Sequence, residues 1–182
     1  MRDIIVSTYM SLDGVVEDPD SWTLNYWSSE LADYSRKQLF EADALLLGRK
    51  TYQGFASAWP SMTDKDGFAD RMNSLPKYVV SNTLTANDMK WNANLLSNDP
   101  ITEITTLKQQ TGQNILIYSS TTFVKTLLAY NLIDELRLWV HPVVKGSGQR
   151  MFEDGETAKL DLTNTVHFNN GVIILCYQPV LE

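Results

Sequence analysis

Short apolar runs alternate with amphipathic stretches along the 182 residues of the chain. The apolar runs end in glycine or polar residues and are too short for buried helices, so they predict strands of a sheet. The predicted strands lie at 3–10, 44–47, 77–80, 115–118, 136–140, 161–168 and 172–178. The predicted helices lie at 28–41, 49–58, 67–74, 99–112 and 123–130.

This order of elements predicts an α/β protein with three layers, α/β/α, around a mixed sheet. Strands that alternate with helices favour parallel pairing through right-handed crossovers. Asn169-Asn170-Gly171 joins the last two strands and favours a hairpin, so the sheet should end in an antiparallel pair. The alternation in strand 136–140 predicts one solvent-exposed face. No repeat or linker interrupts the pattern, and we expect one domain over residues 1–182.

The net charge of −7 narrows the choice of partners. Duplex nucleic acid requires a clustered basic surface, whereas the longest basic clusters here are pairs, Arg36-Lys37 and Arg49-Lys50. No apolar run approaches the roughly 20 residues that span a membrane, and the first residues have no signal-peptide pattern. We therefore expect a cytoplasmic protein that acts on a small molecule, without a nucleic-acid or membrane partner.

Cysteine and histidine usage argues against metal chemistry. The single cysteine, Cys176, excludes an internal disulfide and a multi-cysteine zinc site. Its place in an apolar run predicts a buried strand residue rather than a reactive thiol. The two histidines are isolated: a structural role is favoured for His141, and His167 should face solvent. No metal site is expected.

Three loops with the same chemistry follow predicted buried strands. Carboxyl ends of parallel strands meet at one edge of a sheet, where free backbone N–H groups at helix starts favour anions. Arg49 adds a guanidinium fork that suits a phosphate. Each loop alone is equally explained by ordinary turns and helix caps; together they predict a cradle for a molecule with several phosphates. The loops are Gly48-Arg49-Lys50-Thr51, Ser81-Asn82-Thr83 and Ser119-Ser120-Thr121-Thr122-Phe123.

Aromatic residues are dense around the first loop and the second helix. Such rings stack on flat heterocycles, but they also fill cores, and both interpretations stay open here. Tyr52 and Phe55 share one helix face because they lie three residues apart. Asp13, next to Gly14, is either a turn residue or a group that orients a substrate. The aromatic candidates are Trp22, Trp27, Tyr52, Phe55 and Trp59.

An ordered set of segments resembles the dihydrofolate reductase-like family. Within that family the likeness is closest to the branch of the riboflavin-biosynthesis reductase (RibD C-terminal) domain, and it runs from about residue 2 to 178. The segments are Ser11-Leu12-Asp13-Gly14, Leu47-Gly48-Arg49-Lys50-Thr51-Tyr52, Leu132-Ile133-Asp134-Glu135-Leu136, Pro142-Val143-Val144-Lys145-Gly146-Ser147-Gly148 and Phe152.

The resemblance implies an NADPH-dependent reductase. Hydride would pass to a small heterocyclic or ribosylamino-pyrimidine-type acceptor, such as 5-amino-6-(5-phosphoribosylamino)uracil, and the protein would be a homodimer. Asp13 would be catalytic. The residues near the cofactor would be Gly48, Arg49, Lys50, Thr51, Ser81, Asn82, Thr83, Ser119, Ser120, Thr121, Thr122 and Phe123. By the same resemblance, Asp13 and Gly14 would belong to the loop over the nicotinamide and substrate. With Ser11 of that loop, the predicted substrate residues are Gly14 and, from the density of aromatic residues, Trp22, Tyr52 and Phe55.

Two departures from the family pattern keep other functions open. The diphosphate loop of the family carries a glycine where this chain has Ser119, and a side chain there crowds the backbone approach. Dihydrofolate reductases also place an acid on the first helix, for which Glu30 and Asp33 lie in the right region. The alternatives are an enzyme that reduces folate or uses a flavin, and a non-catalytic nucleotide-binding module on the same fold.

Overall fold

The computed structural model describes residues 1–118 and 121–180. Its strands are β1 Ile4–Ser11, β2 Ala42–Gly48, β3 Lys77–Val80, β4 Ala93–Leu96, β5 Asn114–Tyr118, β6 Glu135–His141, β7 Leu160–His167 and β8 Ile173–Pro179. Its α-helices are α1 Asp20–Thr23, α2 Ser29–Phe40, α3 Arg49–Ala58, α4 Phe68–Ser74, α5 Pro100–Gln109 and α6 Thr121–Ala129. Within these parts of the chain, no helix is long and apolar enough to cross a membrane.

One sheet joins the described strands in the order β4-β3-β2-β5-β1-β6-β8-β7. The pairs from β4 to β6 are parallel, and β8 runs antiparallel to both β6 and β7. The predicted α/β class, with a mostly parallel mixed sheet and a closing antiparallel hairpin, is confirmed. The hairpin turns at Gly171, whose φ of +89° is a left-handed conformation that favours glycine.

Helices cover both faces of the sheet because side chains of a strand point alternately to opposite sides. Ile4 and Val6 of β1 pack with residues of α5 and α6. Ile5 packs on the other side, in a cluster that includes Leu39 of α2 and Met72 of α4. The face that carries α2, α3 and α4 also holds a large cleft.

Local signals set several element ends as predicted. The Ser28 hydroxyl accepts a hydrogen bond from the Leu31 N–H at 3.3 Å and caps α2. The Asp99 carboxylate accepts one from the Thr102 N–H at 3.3 Å and caps α5. Cys176 is buried in β8, as its apolar surroundings indicated, and burial raises the pKa of its thiol. His167 faces solvent, as predicted.

Two predictions at the level of elements are wrong. The sequence pattern missed β4, because Asn94 interrupts its apolar residues and most of the strand is only partly buried. Strand 136–140 is covered on both faces: Arg137 keeps only 12% of its side chain exposed and pairs with Glu135, and Trp139 is buried. The cover comes from α2, whose Tyr34 ring lies edge-on to Trp139 with centroids 5.3 Å apart.

Candidate active site

The parallel strands bring the predicted loops to one edge of the sheet. Gly48 at the end of β2 pairs with Val80 at the end of β3, so Arg49 and Ser81 follow neighbouring strands at the same edge. β5, which precedes Thr121, lies on the other side of β2. Ser11 at the end of β1 pairs with His141 at the end of β6. The geometry therefore agrees with a shared site at the carboxyl edge.

The start of α3 has the donors that an anion requires. Gly48 is the N-cap residue, in an extended conformation, and no side chain caps this turn in the described part of the chain. Because Gly48 has no side chain, it does not occupy the N–H groups of Arg49 and Lys50. Arg49 and Lys50 are exposed beside them, with Arg49 Nη1 3.4 Å from Gln53 Oε1, and Thr51 is partly buried in the same turn. This combination of helix start and two cations fits a phosphate group.

In the loop after β3, one polar side chain stabilises the loop and two are exposed to solvent. The buried Ser81 hydroxyl accepts hydrogen bonds from the N–H groups of Thr83 at 3.1 Å and Leu84 at 3.0 Å, and so shapes the loop. Asn82 and Thr83 are exposed. The side chains available to a ligand are therefore Asn82 and Thr83, while Ser81 positions them.

The loop after β5 is only partly described. The predicted cofactor contacts Ser119 and Ser120 lie outside the described residues. Thr121 and Thr122 form the first turn of α6, with Thr122 exposed. Phe123 packs against the core between the sheet and α5/α6, so its ring contributes to folding rather than to a ligand surface.

Asp13 connects the loop after β1 to the loop after β6. Its carboxylate accepts hydrogen bonds from the N–H groups of Lys145 at 3.0 Å and Gly146 at 2.8 Å, and from the Ser11 hydroxyl at 2.7 Å. The first of these bonds is the main reason that the pKa of Asp13 falls well below its usual range. Gly14 follows in a left-handed conformation, φ +87°, and Arg150 donates to the Asp13 carbonyl.

This geometry changes the predicted role of Asp13. A carboxylate that stays ionised and accepts three hydrogen bonds has no proton to donate at neutral pH. Ser11 is buried; its hydroxyl donates to Asp13 and accepts a hydrogen bond from the Val15 N–H at 2.8 Å. Asp13, Ser11 and Gly14 therefore hold the loop after β1 against the loop after β6, which gives them a positioning role.

A cleft of about 670 Å³ opens on the face that carries α2, α3 and α4. This volume suits a small organic ligand. Ser7 and Tyr9 of β1 and Tyr118 of β5 also line it, so the cleft reaches the central strands. Its apolar side chains are mainly aromatic or methionine: Tyr9, Trp27, Phe55, Trp59, Met62, Phe68, Met72 and Tyr118.

Four of the five predicted substrate residues, Ser11, Gly14, Trp22 and Tyr52, do not line this cleft. Trp22 is buried, donates from Nε1 to the Glu17 carbonyl at 3.1 Å, and packs edge-on against His141. The buried Tyr52 hydroxyl donates to the Asp88 carbonyl at 3.1 Å and accepts from the Lys90 N–H at 2.8 Å. Phe55, one turn later on α3, does line the cleft. The two residues share a helix but contact different parts of the fold.

Polar groups that the sequence interpretation missed lie on the cleft floor. Gln38 of α2 donates from Nε2 to the Ser7 hydroxyl oxygen at 3.0 Å, and Trp139 Nε1 donates to the same oxygen at 2.9 Å. Within the described residues, buried Gln38 Oε1 and the Tyr118 hydroxyl have no hydrogen-bond partner. Burial raises the pKa of Tyr118 above its usual range, so the hydroxyl stays protonated. The available signal was the polar pair Ser7-Thr8 between the apolar residues of β1.

The charged groups that line the cleft are mostly acidic. One cation accompanies them, Arg36, whose guanidinium lies over the Phe40 ring at 5.4 Å. The N–H of Ala69 and neighbouring backbone donors lower the pKa of Asp64, so that carboxylate is ionised. Burial, assisted by the charge of Asp20, raises the pKa of Tyr9 to about 12. The lining carboxylates are Asp20, Asp33, Asp64 and Asp66.

Comparisons with known proteins agree with this architecture. "Uncharacterized protein YyaP" of Bacillus subtilis (strain 168) is 29% identical over 184 residues, which covers 97% of this chain and 95% of that protein. The crystal structure of a putative riboflavin biosynthesis protein from Shewanella sp. PV-4 matches with a TM-score of 0.76 and 21% identity, over 100% of both chains. Dihydrofolate reductase from Enterococcus faecalis, complexed with NADP(H), matches with a TM-score of 0.63 and 14% identity, over 97% of this chain and 96% of that one.

The two structural matches show a shared fold, and the predicted dihydrofolate reductase-like architecture is confirmed. The family follows from the sequence itself. The model of the RibD C-terminal domain matches residues 2–174, nearly the whole chain. The predicted resemblance is therefore confirmed, and the chain belongs to the RibD C-terminal domain family.

Proposed function

We propose that the protein is an NADPH-dependent reductase of a small heterocyclic acceptor. The observation that carries the proposal is the continuity between a phosphate-binding helix start and the aromatic cleft. α3 begins with Gly48-Arg49-Lys50 at the sheet edge and contributes Phe55 and the adjoining Trp59 to the cleft. Tyr118, at the end of β5, reaches the cleft from the same edge. A dinucleotide bound along this edge would have one end at the cleft.

The residues present fit such a cofactor. The backbone N–H groups and side chains of Arg49 and Lys50 would hold its phosphates, and Asn82 and Thr83 would lie near the adenosine half. When bound, NADPH supplies a hydride that reduces a carbonyl or imine carbon, and the heteroatom of that group takes one proton from solvent. The aromatic walls would orient a flat acceptor and exclude water, and Asp13 would keep the two neighbouring loops in place.

Cofactor binding tests this proposal directly. Arg49→Gln with Lys50→Gln should weaken NADPH binding at least tenfold, because each charge-assisted hydrogen bond contributes about 1.5–3 kcal/mol. Titration of NADPH, followed by nicotinamide fluorescence, measures the loss. Lys37→Gln on α2, which removes an exposed lysine away from the sheet edge, is the matched control and should bind as the parent does. Equal affinity in all variants, or no binding at millimolar NADPH, contradicts the proposal.

A non-catalytic nucleotide-binding module is the second candidate. The role of Asp13 favours it, because this carboxylate holds loops and offers no proton to a reaction. NADPH binding without oxidation across a panel of carbonyl, imine, flavin and dihydrofolate acceptors would select the module over the reductase. Oxidation of NADPH by any of them identifies the enzyme.

The proposal includes a homodimer that works in the cytoplasm. Support for the dimer comes from β7, which is an edge strand with an unpaired side. Its Leu162 leaves 55% of its surface exposed. The unpaired backbone groups of an edge strand can form hydrogen bonds with a strand of another chain.

A further inference from the structure

The charge of the cleft disagrees with a phosphorylated acceptor. Four aspartates and one arginine are the formally charged residues among those that line it. Arg36 is exposed, with its guanidinium 5.4 Å from the centre of the Phe40 ring, so one cation accompanies four carboxylates in the lining. Phosphate recognition uses arginine clusters, lysines or helix starts, and two like charges in a partly enclosed site repel each other. A phosphate on the acceptor would therefore meet more carboxylates than cations.

The floor of the cleft offers hydrogen-bonding groups to a ligand. Gln38 is 3% exposed; its Nε2 donates to Ser7, and its Oε1 has no partner among the described residues. An unsatisfied buried acceptor costs about 1–3 kcal/mol. The Tyr118 hydroxyl on the same floor is also buried. The Gln38 side chain lies close enough to offset part of the rise in the pKa of Tyr118, although no hydrogen bond of ordinary geometry joins the two groups. A ligand with an N–H donor beside a polar acceptor would satisfy both groups.

The walls define the shape of that ligand. Aromatic rings at Trp27, Phe55 and Trp59 and the methionines at Met62 and Met72 line the space above the floor. Flat π-systems pack well on such side chains, and methionine adapts to irregular outlines. The walls therefore suit a planar ring, while the floor selects its hydrogen-bonding edge.

We propose that the cleft binds a flat, uncharged or cationic N-heterocycle that carries a ring or amino N–H and no phosphate. Gln38 and Tyr118 would bind its polar edge, and the aspartate rim would exclude phosphorylated relatives. The inference rests on the proposed reductase function, since it names the acceptor of that reaction. It departs from the phosphoribosylamino-pyrimidine acceptor that family membership alone implies.

A matched ligand pair tests the exclusion of phosphate. 5-Amino-6-ribosylaminouracil and its 5′-phosphate differ only in the charged group, and quenching of tryptophan fluorescence reports their binding to the full chain at low salt. The unphosphorylated compound should bind at least tenfold more tightly. Asp33→Asn with Asp66→Asn should narrow that ratio several-fold, whereas Asp161→Asn, an exposed residue of β7, should leave it unchanged. Tighter binding of the phosphate, or binding of neither compound at millimolar concentration, overturns the inference.

Variants of the floor test the hydrogen bonds. Tyr118→Phe keeps the shape of the side chain, and Gln38→Met nearly does. Each variant should bind the unphosphorylated ligand about tenfold more weakly and bind NADPH as the parent does. An unchanged affinity for the heterocycle in a folded Tyr118→Phe variant overturns the assignment of the floor. Failure of NADPH to bind the parent protein would instead remove the reductase proposal, so the two failures are distinguishable.

Discussion

At the scale of residues, the chain keeps a lysine in its core. Lys77 of β3 is fully buried; its ammonium group donates to the Asn73 carbonyl at 2.9 Å and lies 3.9 Å from the centre of the Trp91 ring. One carbonyl and one aromatic face replace part of the lost hydration. Burial nevertheless lowers the pKa of Lys77 to about 8. The residue was predicted only as part of a buried strand, because sequence does not show which way its side chain turns.

The lowered pKa of Lys77 predicts a pH-dependent stability. The unfolded chain holds the proton up to about pH 10.4 and the folded chain only to about 8, so this group makes the free energy of unfolding rise with pH between those values. Urea unfolding of the parent and of Lys77→Met at pH 7.5 and pH 10 measures the difference. The parent should gain roughly 1–3 kcal/mol relative to the variant over this interval.

A control separates this effect from other titrations in the same range. Lys37→Met changes an exposed lysine of α2 and should preserve the parent's dependence on pH. If the free energy of unfolding changes between pH 7.5 and pH 10 by the same amount in Lys77→Met and in the parent, the ammonium group of Lys77 is not desolvated in solution.

Residues that cap elements were predictable, whereas residues of the cleft floor were not. Ser28 and Asp99 act on amides three residues away, so their roles follow from local sequence. Gln38 and Ser7 lie 31 positions apart and meet only because α2 packs on β1. Tyr52 and Phe55 show the same limit: their spacing gave a shared helix face, but the contacts of Tyr52 come from a loop 36 to 38 residues away.

At the scale of elements, the loops at the sheet edge are held by side chains of other loops. Asp13 bonds to backbone amides 132 and 133 positions later in the chain. Glu17 adds a bond from the Gln149 N–H at 3.1 Å. These bonds join the segments after β1 and β6, both of which carry residues of the family resemblance. The spacing of Ser11-Leu12-Asp13-Gly14 predicted a turn, but not its partner loop.

The role of Asp13 leads to a prediction about loop motion. Asp13→Asn keeps the size of the side chain but replaces a charged acceptor by a neutral one. The amides of Lys145 and Gly146 should then exchange hydrogen faster, while core amides of β5 exchange as in the parent. Because the carboxylate has a lowered pKa, its contribution is present above about pH 3.8 and is lost as the pH falls through the folded value.

Hydrogen-exchange mass spectrometry of the two loops measures this change. Asp18→Asn, an exposed residue of the same connecting segment, serves as the control. A general-acid role for Asp13 would instead give normal loop protection with NADPH oxidation abolished at neutral pH, and that result would reject the positioning role.

At the scale of the whole molecule, the fold class was easier to predict than the order of the strands in the sheet. Apolar runs between helices indicated parallel strands, and Asn170-Gly171 indicated the closing hairpin. The position of β5 between β2 and β1 depends on contacts between distant residues, such as Ile4 with Ile115, which leave no local signal. The cleft arises at this level, since it needs α2, α3 and two central strands to come together.

The edge of the sheet predicts how copies of the chain associate. β7 is an edge strand, and its Leu162 is 55% exposed. Apolar surface of this kind on an edge strand is a favourable contact for a second copy. We expect a particle with twice the chain mass of 20.6 kDa in sedimentation velocity experiments. Leu162→Lys should shift the particle towards the monomer. Leu24 is also an exposed leucine, at 69%, but it lies outside β7, so Leu24→Lys is the matched control and should not change the mass. A monomer at every concentration tested would exclude the dimer, and dissociation by both variants alike would place the interface away from β7.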